Sequence, residues 1–209
     1  MAINKTIFTA DRTAQKSEIL AWLQANATNY FDSIETDTDG NISCRLENGA
    51  ELLFMFDTSA AICKITSKTQ QSASIFSSSS GNAYTKTGIV TSNGIMLISN
   101  AGSSSLENIM IISKTNNGST AISTFHRALS SSNNQQNYFI DLDNDSECLT
   151  KNFQIISVPA TSLAPVCFAS GNYCEHVFMT LFSQFTNSSC IMQINGKKYA
   201  YGGYLALEE

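Results

Sequence analysis

The chain has 209 residues, a formal net charge of −5, 43% hydrophobic and 14% charged residues; this excludes a disordered chain and a miniprotein that needs staples, and the acidic balance argues against a basic nucleic-acid-binding face. Ser, Thr and Asn number 29, 19 and 19, and because these side chains compete with helical backbone bonding and suit turns and pleated surfaces, a mainly β chain is expected. No run of about 18 apolar residues occurs and residues 1–6 lack the apolar stretch of a secretory signal, so the expectation is a chain made in the cytosol without membrane insertion.

In chain order, residues 2–9 alternate Ile3, Lys5, Ile7 with Asn4, Thr6, Phe8, a pattern that predicts an edge strand. Residues 12–29 predict the one helix, with Ile19, Leu20, Leu23 and Ala27 on a single face and Trp22 flanking it as a packing residue. From Phe31 onward the period changes to two. Residues 42–47, 51–57 and 60–66 read as strands, with 37–41 as a loop and Asn48-Gly49 as a hairpin turn. A Ser/Gln-rich stretch over 68–81 reads as a linker, dividing an N-terminal unit (1–67) from a β domain (82–209), or joining them in one continuous domain. Beyond it, strands are expected near 87–91, 95–99, 106–114, 120–125, 153–158, 173–185, 189–194, 197–201 and 204–207. Asn93-Gly94, Asn117-Gly118 and Asn195-Gly196 mark turns, and Pro159 and Pro165 bracket a connection.

Several of these strands are apolar on both faces. Residues 52–56, 95–98 and 109–112 carry no clean alternation, unlike a sheet with one wet side. Three settings satisfy them: the centre of a sandwich, a face covered by the helix, or an interface with neighbouring subunits. The expected fold is therefore mainly β, an antiparallel β-sandwich or barrel-like double sheet with one N-terminal helix.

Chemistry is sparse. The two histidines are His126 and His176, and no nucleophile elbow, zinc-protease helix or phosphate loop is present, so no enzyme activity and no cofactor is expected. Cys174 and His176 lie two apart, the spacing of a thiol–imidazole pair on one strand face, and Cys167 would add a third metal ligand; core packing is the favoured reading of all three. The six cysteines are read as reduced core residues. Asp141, Asp143, Asp145 and Glu147 alternate as in a calcium loop, but Ser146 replaces its glycine and Asn152 its final glutamate, so a solvated acidic turn is expected instead. Asp37, Asp39 and Gly40 read likewise.

The C-terminal residues Ile194-Asn-Gly-Lys-Lys-Tyr199, followed by Gly202-Gly-Tyr-Leu-Ala-Leu207, resemble the endings of virion structural proteins, tail-associated ones especially, from phages of gut Gram-positive bacteria. The resemblance implies a non-enzymatic subunit located in the virion, a homo-oligomer that assembles with itself and other virion proteins through β-rich contacts. The residues expected at that interface are Ile3, Ile7, Tyr199, Tyr201 and Tyr204, on two segments each suited to an edge strand. The alternative is a receptor-binding module of a tail fibre or surface adhesin that takes a host surface glycan on those tyrosines.

Overall fold

The computed structural model describes residues 3–9, 12–56, 61–66, 71–78, 85–100, 107–126, 138–147, 163–180, 191–202 and 205–209. It is mainly β, with three antiparallel sheets, one helix and no closed barrel among these residues. The largest sheet runs β1 (Asn4–Ile7), β7 (Thr85–Val90), β8 (Gly94–Asn100), β9 (Glu107–Lys114), β10 (Thr120–His126), β11 (Tyr138–Asp141) and β12 (Ser146–Glu147). A second contains β2 (Ser33–Thr36), β3 (Ile42–Arg45), β4 (Glu51–Phe56), β5 (Ala61–Thr66) and β6 (Gln71–Ser78) in simple succession. The third is ordered β13 (Leu163–Cys167), β14 (Tyr173–Thr180), β17 (Leu205–Glu208), β16 (Lys197–Gly202), β15 (Ile191–Ile194).

The seven-stranded sheet is the middle layer. Its strands alternate by parity, as pleating requires: Ile95, Leu97, Met110, Ile112, Ile122 and Ile140 enter one core with Ile42, Leu52, Phe54 and Ile65 of the second sheet. Met96, Ile98, Ile109, Ile111, Ala121 and Phe139 enter another with Val177, Ala200, Leu205 and Leu207 of the third. Of the three settings the sequence left open, residues 95–98 and 109–112 occupy the centre of a sandwich within one chain, whereas 52–56 buries Leu52 and Phe54 and leaves Leu53, Met55 and Phe56 half-buried. The double sheet expected from sequence gains a third layer.

The helix α1 (Arg12–Asn26) closes the first core beside the second sheet. Its stripe is as read: Ile19, Leu23 and Ala27 are buried and Leu20 packs partly against them. The last turn ends where the Asn26 side chain donates to the Trp22 carbonyl at 2.8 Å, occupying an acceptor that helical bonding would otherwise use. At the other end Gln15, itself buried, donates to the Thr9 carbonyl at 2.7 Å and Glu18 accepts from the Thr9 N–H at 2.8 Å, strapping β1 to the helix. Trp22 meets Phe8 edge to face at 5.8 Å and lies over Gly88 of β7, where an added Cβ would come within 2.7 Å of the indole. That glycine is needed for the absence of a side chain, since it sits in a strand at ordinary φ.

Four hairpins share one turn. In 37–41, 46–50, 115–119 and 168–172 the first residue's N–H bonds to the fifth residue's carbonyl, and the glycine N–H at position four returns to the first carbonyl. Gly40, Gly49, Gly118 and Gly171 have φ between 79° and 88°, the left-handed state that a three-residue loop with a bulge demands. Asn195-Gly196 is a two-residue turn with both φ positive, whereas Gly94 has moved into β8 and leaves Ser92-Asn93 at the bend.

Several segments depart from the expected pattern. Residues 71–78, inside the expected linker, form β6 and pair with β5, and the first core draws on both sides of that division. The Ser and Gln side chains there obscured a strand whose apolar content is low. β11, β12 and β13 were unread. Pro165 lies within β13, an edge strand that can spare the N–H, and the register shifts beside it. The C-terminal segment is interior: β17 is flanked by β14 and β16, and the outer strands of that sheet are β13 and β15. Residues 153–158 lie outside the described residues.

Leu23→Ala should lower stability by roughly 2–5 kcal/mol as a fully buried truncation, and Gly88→Ala by roughly 1–3 kcal/mol through overpacking against Trp22. Urea unfolding of both variants measures this; a Gly88→Ala chain as stable as its parent would show that the indole can move aside.

Candidate functional site

Three hairpins and one turn converge at one end of the layered sheets. The loop 115–119 comes from the middle sheet, 168–172 from the third, 46–50 from the second, and 142–145 links β11 to β12. They are locked by side chains. Asp141, fully buried, accepts from Asn144 Nδ2 at 2.9 Å and from Asn172 Nδ2 at 2.7 Å, so one carboxylate ties two loops. Asn144 Nδ2 also reaches Ser119 Oγ at 3.3 Å, and the Ser170 N–H donates to Ser146 Oγ at 2.7 Å. Asn117 Oδ1 accepts from the hydroxyls of Thr115 and Ser119 and from the Ser119 N–H, at 2.5, 2.7 and 3.2 Å. The expected solvated acidic turn is therefore corrected at Asp141: satisfied amide donors permit its burial. Asp143 bonds the Thr120 N–H.

Between 115–119 and 168–172 the chain adds a short interlayer ladder. Thr115 bridges to Cys174; the Asn116 N–H donates to the Tyr173 carbonyl and the Tyr173 N–H donates to Asn116 Oδ1, both at 2.9 Å. Tyr173 is 40% exposed, an aromatic ring on a backbone held at both polar groups. Nearby, an open cleft of about 470 Å³ runs between the 46–50 hairpin and the 142–145 turn, lined by Asn48, Thr66, Asp143, Asn144 and Asp145. Asn48 Nδ2 crosses its floor to the Leu142 carbonyl at 2.9 Å. Charged groups at this end are acidic, Asp32, Glu47 and Asp143 among them; Lys114 is engaged by Thr120 Oγ1 at 2.9 Å and by the Tyr30 ring.

The residues expected at an assembly interface are spread over two sheets. Ile3 packs partly against the second core and Ile7 is 64% exposed on β1. Tyr199 is 4% exposed, its ring edge on to Phe178 at 6.0 Å, and burial raises its hydroxyl pKa. Tyr201 is half-buried, and Tyr204 lies outside the described residues.

Cys174 is a core residue whose Sγ accepts from Ser113 Oγ at 3.6 Å. His176 stands opposite Glu208, with Nδ1 3.7 Å from Oε2, while Lys197 Nζ lies 2.7 Å from Oε1 of the same carboxylate. Cys167 is half-buried at the sheet edge. Cys44, Cys167 and Cys174 are free thiols; the Cys63 side chain, Cys148, Cys190 and the His126 side chain lie outside the described residues. Burial pushes the Cys44 thiol up to about 12, removing the thiolate needed for reactivity. Asp37 closes its own turn, accepting from the Asn41 side chain and N–H, which lowers its pKa. Among the described residues no group of three or more His, Cys, Asp or Glu side chains is placed to hold a metal ion. Sequence reading missed Tyr173 and Asn116 because their link depends on two strands meeting across layers; the Asn116-Asn117-Gly118 turn was the only signal.

The chain matches no known protein family, no curated protein and no solved structure.

Asp141→Ala should cost roughly 1–3 kcal/mol by stranding the Asn144 and Asn172 amides, with hydrogen exchange accelerating in 168–172 before the central strands; equal protection in both loops and strands would remove Asp141 from this role. Cys44 should resist iodoacetamide at pH 8 in the folded chain and react after unfolding, as intact mass spectrometry would record.

Proposed function

We propose that this chain is a non-enzymatic structural subunit of a phage particle, tail-associated, that joins copies of itself and other virion proteins along open sheet edges. The observation that carries the reading is a pair of outer strands: among the described residues β1 ends the middle sheet and β15 ends the third. They carry Ile7, 64% exposed, and Ile191, 43% exposed. An unpaired edge with an apolar side chain is a template for a neighbour's strand. Both faces of the middle sheet are spent on the chain's own cores, so support for assembly moves from faces to edges. The C-terminal resemblance supports the phage setting.

The receptor-binding alternative relied on Tyr199, Tyr201 and Tyr204, and the burial of Tyr199 takes its ring away from any ligand. A deletion of residues 1–9 would not test the edge cleanly, because it removes Phe8, which is 4% exposed and belongs to the core. Point changes do. Ile7→Lys with Ile191→Lys should leave the circular dichroism spectrum intact and reduce oligomer mass by light scattering and incorporation into particles. A folded double variant that assembles as the parent does would defeat the proposal.

A further inference from the structure

We infer that the loop end centred on Tyr173 is a binding site for a neutral saccharide. This rests on the loop geometry and stands apart from the edge-assembly reading, which concerns the outer strands β1 and β15.

Tyr173 offers an exposed ring, and its backbone N–H and carbonyl are both held by Asn116. A ring fixed in this way presents an apolar face at low entropic cost. Four amides on the adjoining loops are each anchored at one end. Asn116 and Asn117 use their oxygens as acceptors within the fold, from the Tyr173 N–H and from the Ser119 N–H respectively. Their NH₂ groups are left as donors. Asn144 and Asn172 spend their NH₂ groups on Asp141, which leaves their oxygens as acceptors.

A ligand that suits two donors, two acceptors and an apolar platform must donate and accept with the same groups and carry an apolar C–H face. Pyranose sugars have both properties. Charge selects among them. The carboxylates of Asp143 and Glu175 lie on these loops or just beyond Tyr173, and among the described residues the lysine of the adjoining strand, Lys114, is held by Thr120 and Tyr30, so an acidic glycan would meet like charge.

The test is a glycan array carrying neutral and sialylated or sulfated glycans, probed with the full chain, followed by calorimetric titration of the neutral hits. Tyr173→Ala should weaken binding about tenfold or more and Tyr173→Phe by less than about threefold, in line with the loss or retention of one aromatic contact. Chemical-shift mapping on the unmodified chain supplies a readout that does not depend on a variant folding: the perturbed amides should fall in 115–118 and 170–173. Binding of acidic glycans only, absence of any neutral hit, a Tyr173→Ala variant that binds normally, or perturbations confined to other loops would each overturn the inference.

Discussion

The burial of the middle sheet on both faces is the constraint from which the remaining architecture follows. Ile95, Leu97, Met110 and Ile112 face one way and Met96, Ile98, Ile109 and Ile111 the other, all at 3% exposure or less. A single layer cannot cover two apolar faces, so the chain supplies one sheet and the helix on one side and another sheet on the other. The cost of withdrawing so much backbone from water is met by antiparallel ladders that leave few interior strands unpaired.

Three layers held only by apolar contact would slide, because dispersion and hydrophobic burial carry little directionality. Registration comes from polar groups at the sheet ends. Asp141 and Asn172 pin the third sheet to the middle one, Asn48 pins the second, and Asn93 reaches the last residues of the third. Close approach helps: Gly94 lies where a Cβ would meet both the Ile112 carbonyl and Leu207. These side-chain amides hold the layers in register in a chain with only 14% charged residues. The charged pairs present, such as Arg45 with Glu51 at 2.9 Å, sit on an outer face.

The same device that registers the layers also shapes the surface. A side-chain amide has two ends of opposite hydrogen-bonding character, so using one end to hold a loop fixes the direction of the other. Rigid hairpins with tightly closed turns then present a polar surface that does not need ordering before it meets a partner. At the outer strands β1 and β15 the logic is different: they offer backbone groups and single apolar side chains, features suited to extension by a neighbouring strand.

Local chemistry made much of this legible. The Leu23 stripe marked the helix, Asn-Gly and Asp-Gly spacing marked the turns because only a few residues tolerate positive φ, and the loss of alternation in 95–98 and 109–112 announced strands buried on both faces. What covers those faces was not legible, since the covering residues lie as far along the chain as Leu207 is from Met96 and only the packing of layers brings them together. The polar segment 71–78 concealed a strand, because pairing with β5 and not side-chain pattern makes it one. Tyr199, expected at an assembly interface, is buried against Phe178, since an alternating strand does not say which of its faces is covered. The Asp141 carboxylate and the Tyr173 ring likewise took their roles from loops of two different sheets, the middle and the third, meeting at one end, an arrangement set by strand order and register, which no single segment encodes.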